Sequence, residues 1–248
     1  MYSKIIFYFF VSFSIVYILS SAFLIFSDTT NLSSTKTLFY SLGKFSGMIS
    51  FLFISILLIL GDSARFFDRF FGIDKIILFQ RKLSLFTTIF VLLHPLFFIL
   101  SDYYSIDVFI SWPISLGLGL GILAFFIYLV FFLCSVFYKL ISYKLWQYLH
   151  ILSYFLFFFS FFHALELGTE TKNIFFKFVF IILLLSLVIA AIYRFIYKLE
   201  SSSQKFFVHS IRWQTKDVFT ISLIPNQKFS FKPGQFCFLR LNLGNLHA

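Results

Sequence analysis

The sequence predicts an all-α integral membrane protein of six transmembrane helices, followed by a short β segment. Three observations predict it. Hydrophobic residues make up 60% of the 248, charged residues only 12%, and mean hydropathy is +0.95. Six apolar runs, each near the roughly 20 residues that a helix needs to cross a bilayer, occupy the first 200 residues. After Lys198 the pattern changes to short alternating stretches with turn residues.

Taken in order, the spans are Ile5–Phe26, Leu42–Leu60, Leu83–Leu100, Ile114–Leu140, Tyr148–Leu167 and Ile174–Tyr197. The first has one Lys before it and no small-residue cleavage motif after it, so it reads as a span and not as a leader. A polar Ser/Thr loop, Asp28–Ser41, separates it from the second. The fourth is long and holds Gly117, Gly119 and Gly121, which permit close helix approach. Trp112 and Trp146 fit the interfacial aromatic belt. Cys134 and Cys237 suggest neither a disulfide nor a metal pair, and Cys134 reads as a small apolar residue in a span. Phe supplies 43 residues, a compositional bias with no mechanism attached.

Orientation follows from the loops. With the N-terminus in the cytoplasm, the inner side carries Lys4, Arg65, Arg69, Lys75, Arg81, Lys82, Lys139, Lys144, Arg194 and Lys198. The outer side carries Lys36, Lys44, Lys172 and Lys177. That excess puts both termini in the cytoplasm. The net charge of +10 therefore reflects membrane topology and does not indicate nucleic-acid binding.

The stretch Tyr148–Gly168 carries two histidines, His150 and His163, in a run of Phe, Leu, Ile and Tyr. An ionisable side chain inside a span is a functional candidate by default. Thirteen residues of helix separate the two by about 20 Å, one toward each face of the membrane. The third span supplies His94, in FVLLHPLFF. Spans three and five run parallel, so His94 and His163 fall at similar depth near the outer face. A helix bundle can hold a haem between two such histidines. The competing reading is interfacial histidines hydrogen-bonded to neighbouring helices.

The stretches FFGIDKIILFQRKLSLFTTIFVLLHPLFF (70–98) and LWQYLHILSYFLFFFSFFHALELG (145–168) resemble the ferric reductase-like transmembrane family, which includes ferric reductases and NADPH oxidases. The tail FSFKPGQFCFLRLN (229–242) resembles the start of the flavin-binding barrel that follows the membrane domain in that family. The resemblance implies a six-helix haem-binding domain over residues 1–200 and the N-terminal fragment of an FAD-binding β-barrel over 201–248. It implies that His94, His150 and His163 are axial iron ligands of b-type haem, with one haem or two. His94 and His163 then form a complete outer pair. Gln80 stands where many two-haem members have the histidine that would face His150. Rotation along the helix adds a caution, since 13 residues leave His150 and His163 about 220° apart.

The function expected from that resemblance is electron transfer from a cytoplasmic flavin, reduced by NAD(P)H, through haem to an outer acceptor. The localisation expected is the bacterial inner membrane. FAD and NAD(P)H would require a C-terminal part beyond this sequence or a flavoprotein partner, so the chain reads as a truncated or split reductase. The alternative is a haem-binding membrane subunit that passes electrons to a partner protein, and a third reading is a haem-free six-helix transport or scaffold protein. Arg81 and Lys82 read as positive-inside anchors or as partners of an inner haem. Glu166 reads as a solvated loop carboxylate or as a guide for cations at the outer mouth. The terminal acceptor stays open among ferric chelates, dioxygen, quinones and proteins.

Overall fold

The structure, a computed structural model, describes residues 2–27, 33–110, 115–137, 140–203, 205–226, 228, 239–240 and 246–247. It divides into two units, Met1–Arg194 and Phe195–Ala248. Pro233 and Gly234 of the flavin-barrel-like tail, together with Trp112 and Cys237, lie outside the described residues.

The first unit is helical: α1 (Tyr2–Phe26), α2 (Thr35–Asp62), α3 (Ala64–Phe71), α4 (Ile73–Leu100), α5 (Leu116–Val136), α6 (Tyr143–Leu167) and α7 (Ile174–Ser203). Serines mark three starts. Ser34, Ser115 and Ser142 accept the backbone N–H groups of Thr37, Leu118 and Leu145, which satisfies amides that a helix leaves unpaired. Ser34 and Thr37 also bond reciprocally as a capping box. Among the described residues, α1, α2, α4, α5 and α7 are long and apolar enough to cross a membrane. The chain is a multi-pass membrane protein.

The remaining long helix, α6, contributes the apolar stretch Ile151–Leu167 among the described residues, and the expected fifth span, Tyr148–Leu167, extends past it to take in His150, whose side chain is not described. Helix α4 is longer than its predicted span. It begins at Ile73, ten residues before the predicted span, because backbone hydrogen bonds carry a helix through Lys75, Arg81 and Lys82 whatever their polarity.

Short α3 places Phe66, Phe67, Phe70 and Phe71 against Arg65, Asp68 and Arg69, an amphipathic pattern. Phe67 packs on Phe10 of α1, and Phe66 on Tyr193 of α7. Gly72 then turns the chain into α4 with φ +83°, a conformation available to glycine at little steric cost.

Lipid supplies no hydrophobic force between helices, so packing and hydrogen bonds hold a bundle together. Here the packing is aromatic. Phe51 of α2 stacks on Phe180 of α7 at 4.3 Å and lies 5.4 Å from Phe157 of α6. Such ring pairs contribute about 0.5–1.5 kcal/mol each beyond their buried area. Helix α1 is tied in by the Tyr17 hydroxyl, which donates to the Met48 carbonyl. Buried Ser46, Ser55 and Thr87 donate to carbonyls one turn back, so these hydroxyls need no water. At the end of α2, the buried Asp62 carboxylate accepts from Arg194 of α7 and from the Tyr154 hydroxyl of α6, each at 2.7 Å.

In the second unit, β1 (Phe206–Trp213) pairs antiparallel with β2 (Phe219–Pro225). Trp213 faces Phe219 across the pair, with a bulge between Val208 and Ser210. Two-residue strands β3 (Leu239–Arg240) and β4 (Leu246–His247) also pair. Helix α7 runs on into this unit, to Ser203.

Candidate functional site

His94 on α4 and His163 on α6 come together. Their ring centres lie 6.1 Å apart with planes at 85°. Each ring is fixed by a hydrogen bond to a backbone carbonyl of a different helix. His94 Nδ1 lies 2.8 Å from the Gly43 oxygen of α2, and His163 Nδ1 lies 2.8 Å from the Gly117 oxygen of α5. A carbonyl oxygen has no proton to give, so Nδ1 donates in both cases. In the neutral imidazole that leaves Nε2 with its lone pair exposed, the tautomer a metal ligand needs.

Glycines make the seats. A Cβ at Gly47 would fall 2.7 Å from the His94 ring, and one at Gly121 would fall 2.6 Å from His163 Cε1. Real Cβ atoms do not come so close, so both positions require hydrogen for a side chain. In each half the carbonyl acceptor stands four residues before the glycine under the ring: Gly43 and Gly47, Gly117 and Gly121. The two halves, α2 with α4 and α5 with α6, therefore repeat one device.

The device recurs in weaker form one level down. Gln80 lies fourteen residues before His94 on α4, and Gly61 lies fourteen residues after Gly47 on α2. The Gln80 amide donates to the Leu57 carbonyl at 3.4 Å, and a Cβ at Gly61 would meet Gln80 Nε2 at 3.7 Å. Leu57 stands four residues before Gly61, as Gly43 does before Gly47. His150 belongs to the first half of α6, and its side chain is outside the described residues.

Both rings line a cavity of about 230 Å³, many times the roughly 10–15 Å³ that one water requires. Phe51, Ile54, Val91, Leu156 and Phe180 give it an apolar body. Its polar end holds Tyr40, Lys44, Tyr103, Tyr104, Thr169 and Glu170. Lys44 pairs with Glu170 at 2.6 Å, with side chains 13% and 7% exposed. Burial and the neighbouring Tyr103 push the Tyr104 phenol above its usual range.

Two imidazoles bound to one metal through nitrogens about 2 Å away place their ring centres about 6 Å apart, the separation found here. Among the described residues, no cluster of three or more His, Cys, Asp or Glu forms a metal cage. A planar macrocycle that brings its own four nitrogens fits this donor set; a bare ion held by protein alone does not. Arg81 and Lys82 are exposed, as is Glu166, which lies beside Gly117. Cys134 is a partly buried free thiol.

Residues 46–161 match the family model described as ferric reductase like transmembrane component. That stretch is ferric reductase-like. Gly47, Gly61, Gln80, His94, Gly117, Gly121 and His150 fall inside the matched stretch, while Gly43 and His163 lie just beyond its two ends. No curated protein and no solved structure matches the chain.

Sequence reading singled out His94 and His163, and the structure brings these two together. It missed Gly43, Gly47, Lys44 and Glu170. The signal for the glycines was present: GKFSG on α2 and GLGLG on α5 share one spacing.

Proposed function

We propose that this ferric reductase-like bundle carries electrons across the membrane through b-type haem held by His94 and His163. The reading rests on one observation above all, the two facing imidazoles, each pinned through Nδ1 to a carbonyl with Nε2 left for iron. A haem ligated this way supplies one-electron transfer without an open coordination site. Gly43 and Gly117 fix the tautomer and aim of each ring. Gly47 and Gly121 leave the space the rings occupy. Phe51, Ile54, Val91 and Leu156 keep water from the apolar body of the cavity, which sets its dielectric.

The oxidoreductase reading places the electron source in the cytoplasm, in a flavin reduced by NAD(P)H, and the acceptor at the outer face. It takes α6 as the fifth of six spans, residues 1–200 as the haem domain, and 201–248 as the beginning of a flavin-binding barrel. A negative cell interior favours outward movement of each electron by about 2.3 kcal/mol per 100 mV. The subunit reading, in which the bundle delivers electrons to a partner protein, uses the same pair. Fourteen residues before His94 on the same helix stands Gln80, a poor iron ligand. That favours one haem over two.

Purification of the protein from cells supplied with haem tests the proposal. A low-spin bis-histidine spectrum is expected, lost in His94→Ala and in His163→Ala. An absent Soret band, or a spectrum unchanged in both variants, refutes it.

A further inference from the structure

The cavity is apolar along its body and ionic at one end only. That end is built from one face of α2, where Tyr40, Lys44 and Gly47 follow at intervals of four and three residues, together with the turn Glu170–Lys172 after α6. Lys44 directly follows Gly43, whose carbonyl holds His94, and Glu170 lies seven residues past His163. Buried ion pairs are poor sources of stability, because desolvation offsets their attraction. A structural role therefore explains this one weakly. Two of the three Lys44 N–H groups go to Glu170 Oε1 at 2.6 Å and Thr169 Oγ1 at 3.3 Å. The third has no acceptor among the described residues, and the ammonium lies 5.3 Å from the centre of the Tyr40 ring.

We infer that Lys44 is the anchor for the acidic edge of the group held by His94 and His163, and that Glu170 positions Lys44 and tempers its charge. The inference rests on the haem reading above. Haem b carries two propionates on one edge of an apolar macrocycle, and the cavity has one cationic end and an apolar body. The propionate edge therefore points toward Tyr40, Lys44 and Thr169, and away from Phe51, Ile54 and Leu156. Lys44 lends a charge-assisted hydrogen bond to a carboxylate, and Glu170 keeps the site near neutrality until that carboxylate arrives.

The test compares protohaem with its dimethyl ester, which lacks the negative edge, by titrating the full-length apoprotein in detergent and reading the low-spin Soret band. The wild type should prefer the acid. Lys44→Met should lower that preference about tenfold, the scale of one hydrogen bond to a charged group, and Lys44→Arg should keep most of it. Glu170→Gln leaves the ammonium uncompensated and should raise the preference. Equal preference in wild type, Lys44→Met and Glu170→Gln overturns the inference and leaves the histidine ligation standing. If Lys44→Met does not fold, Glu170→Gln decides alone, and no rise in preference overturns the inference. A wild type that binds neither porphyrin in low-spin form removes the haem reading, and this inference with it.

Discussion

A methyl group at position 47 would press on the His94 ring at 2.7 Å, and one at 121 would meet His163 Cε1 at 2.6 Å. Gly47→Ala and Gly121→Ala should therefore each displace an imidazole and cost most of the bound haem, although neither residue touches iron. Gly61→Ala is the control. Its new methyl would meet Gln80 at 3.7 Å, ordinary contact distance, and helix propensity favours Ala by about 1 kcal/mol. Haem content per protein, read by pyridine haemochrome, separates the two classes; equal loss in all three would contradict the assignment of seats. The histidines were legible in sequence because an ionisable ring stands out in apolar surroundings. Their seats were not legible, because each lies on another helix some fifty residues away, and a glycine signals only that something comes close. Lys44 counted in the sequence only as a charge on the outer side. Its partner became visible once the turn after α6 was folded against α2.

At the scale of elements, hydropathy located the helices but misjudged their lengths, since it reports contact with lipid and not the run of backbone hydrogen bonds. Helix α4 gains ten residues by that correction, and they matter. They make Gln80 and His94 parts of one continuous helix, nearly in line after fourteen residues. Gln80→His should then create a second ligand level with His150. If it does, haem stoichiometry rises from one toward two, and His150→Ala in that background returns it to one. A stoichiometry that stays at one despite normal expression would show that His150 does not face this level. A second element-scale prediction concerns the join of α2, α6 and α7. Arg194→Ala strips an ion-pair partner from the buried Asp62 carboxylate and leaves it only Tyr154. The cost should be about 2 kcal/mol, less than for a fully buried pair because the guanidinium is half exposed. Thermal unfolding in detergent should show it, and Arg194→Lys should recover part; an unchanged transition would mean that Asp62 finds another partner.

For the whole molecule, the sequence conveyed the class and the order of helices. Five of its six spans coincide with long apolar helices among the described residues, and the other coincides with α6. The β region was legible as alternation after Lys198, and the β1–β2 pair lies within it. Topology follows from Lys and Arg: both termini should be cytoplasmic, since ten of the fourteen basic residues through Lys198 fall on that side. A reporter fused after Ala248 that is active only outside the cytoplasm would reverse the electron path proposed above.

Each histidine is seated within its own pair of helices, His94 by α2 and His163 by α5, and the two pairs meet where the rings face each other. A metal bound by both would act as a clasp across that seam and add the free energy of its own binding to the joined form. At a hundredfold excess over its dissociation constant that amounts to about 2.7 kcal/mol. Protein made in haem-starved cells would lack the clasp, open more often and meet membrane proteases sooner. The supply of haem would then govern how many copies persist in the membrane as well as how many can carry electrons.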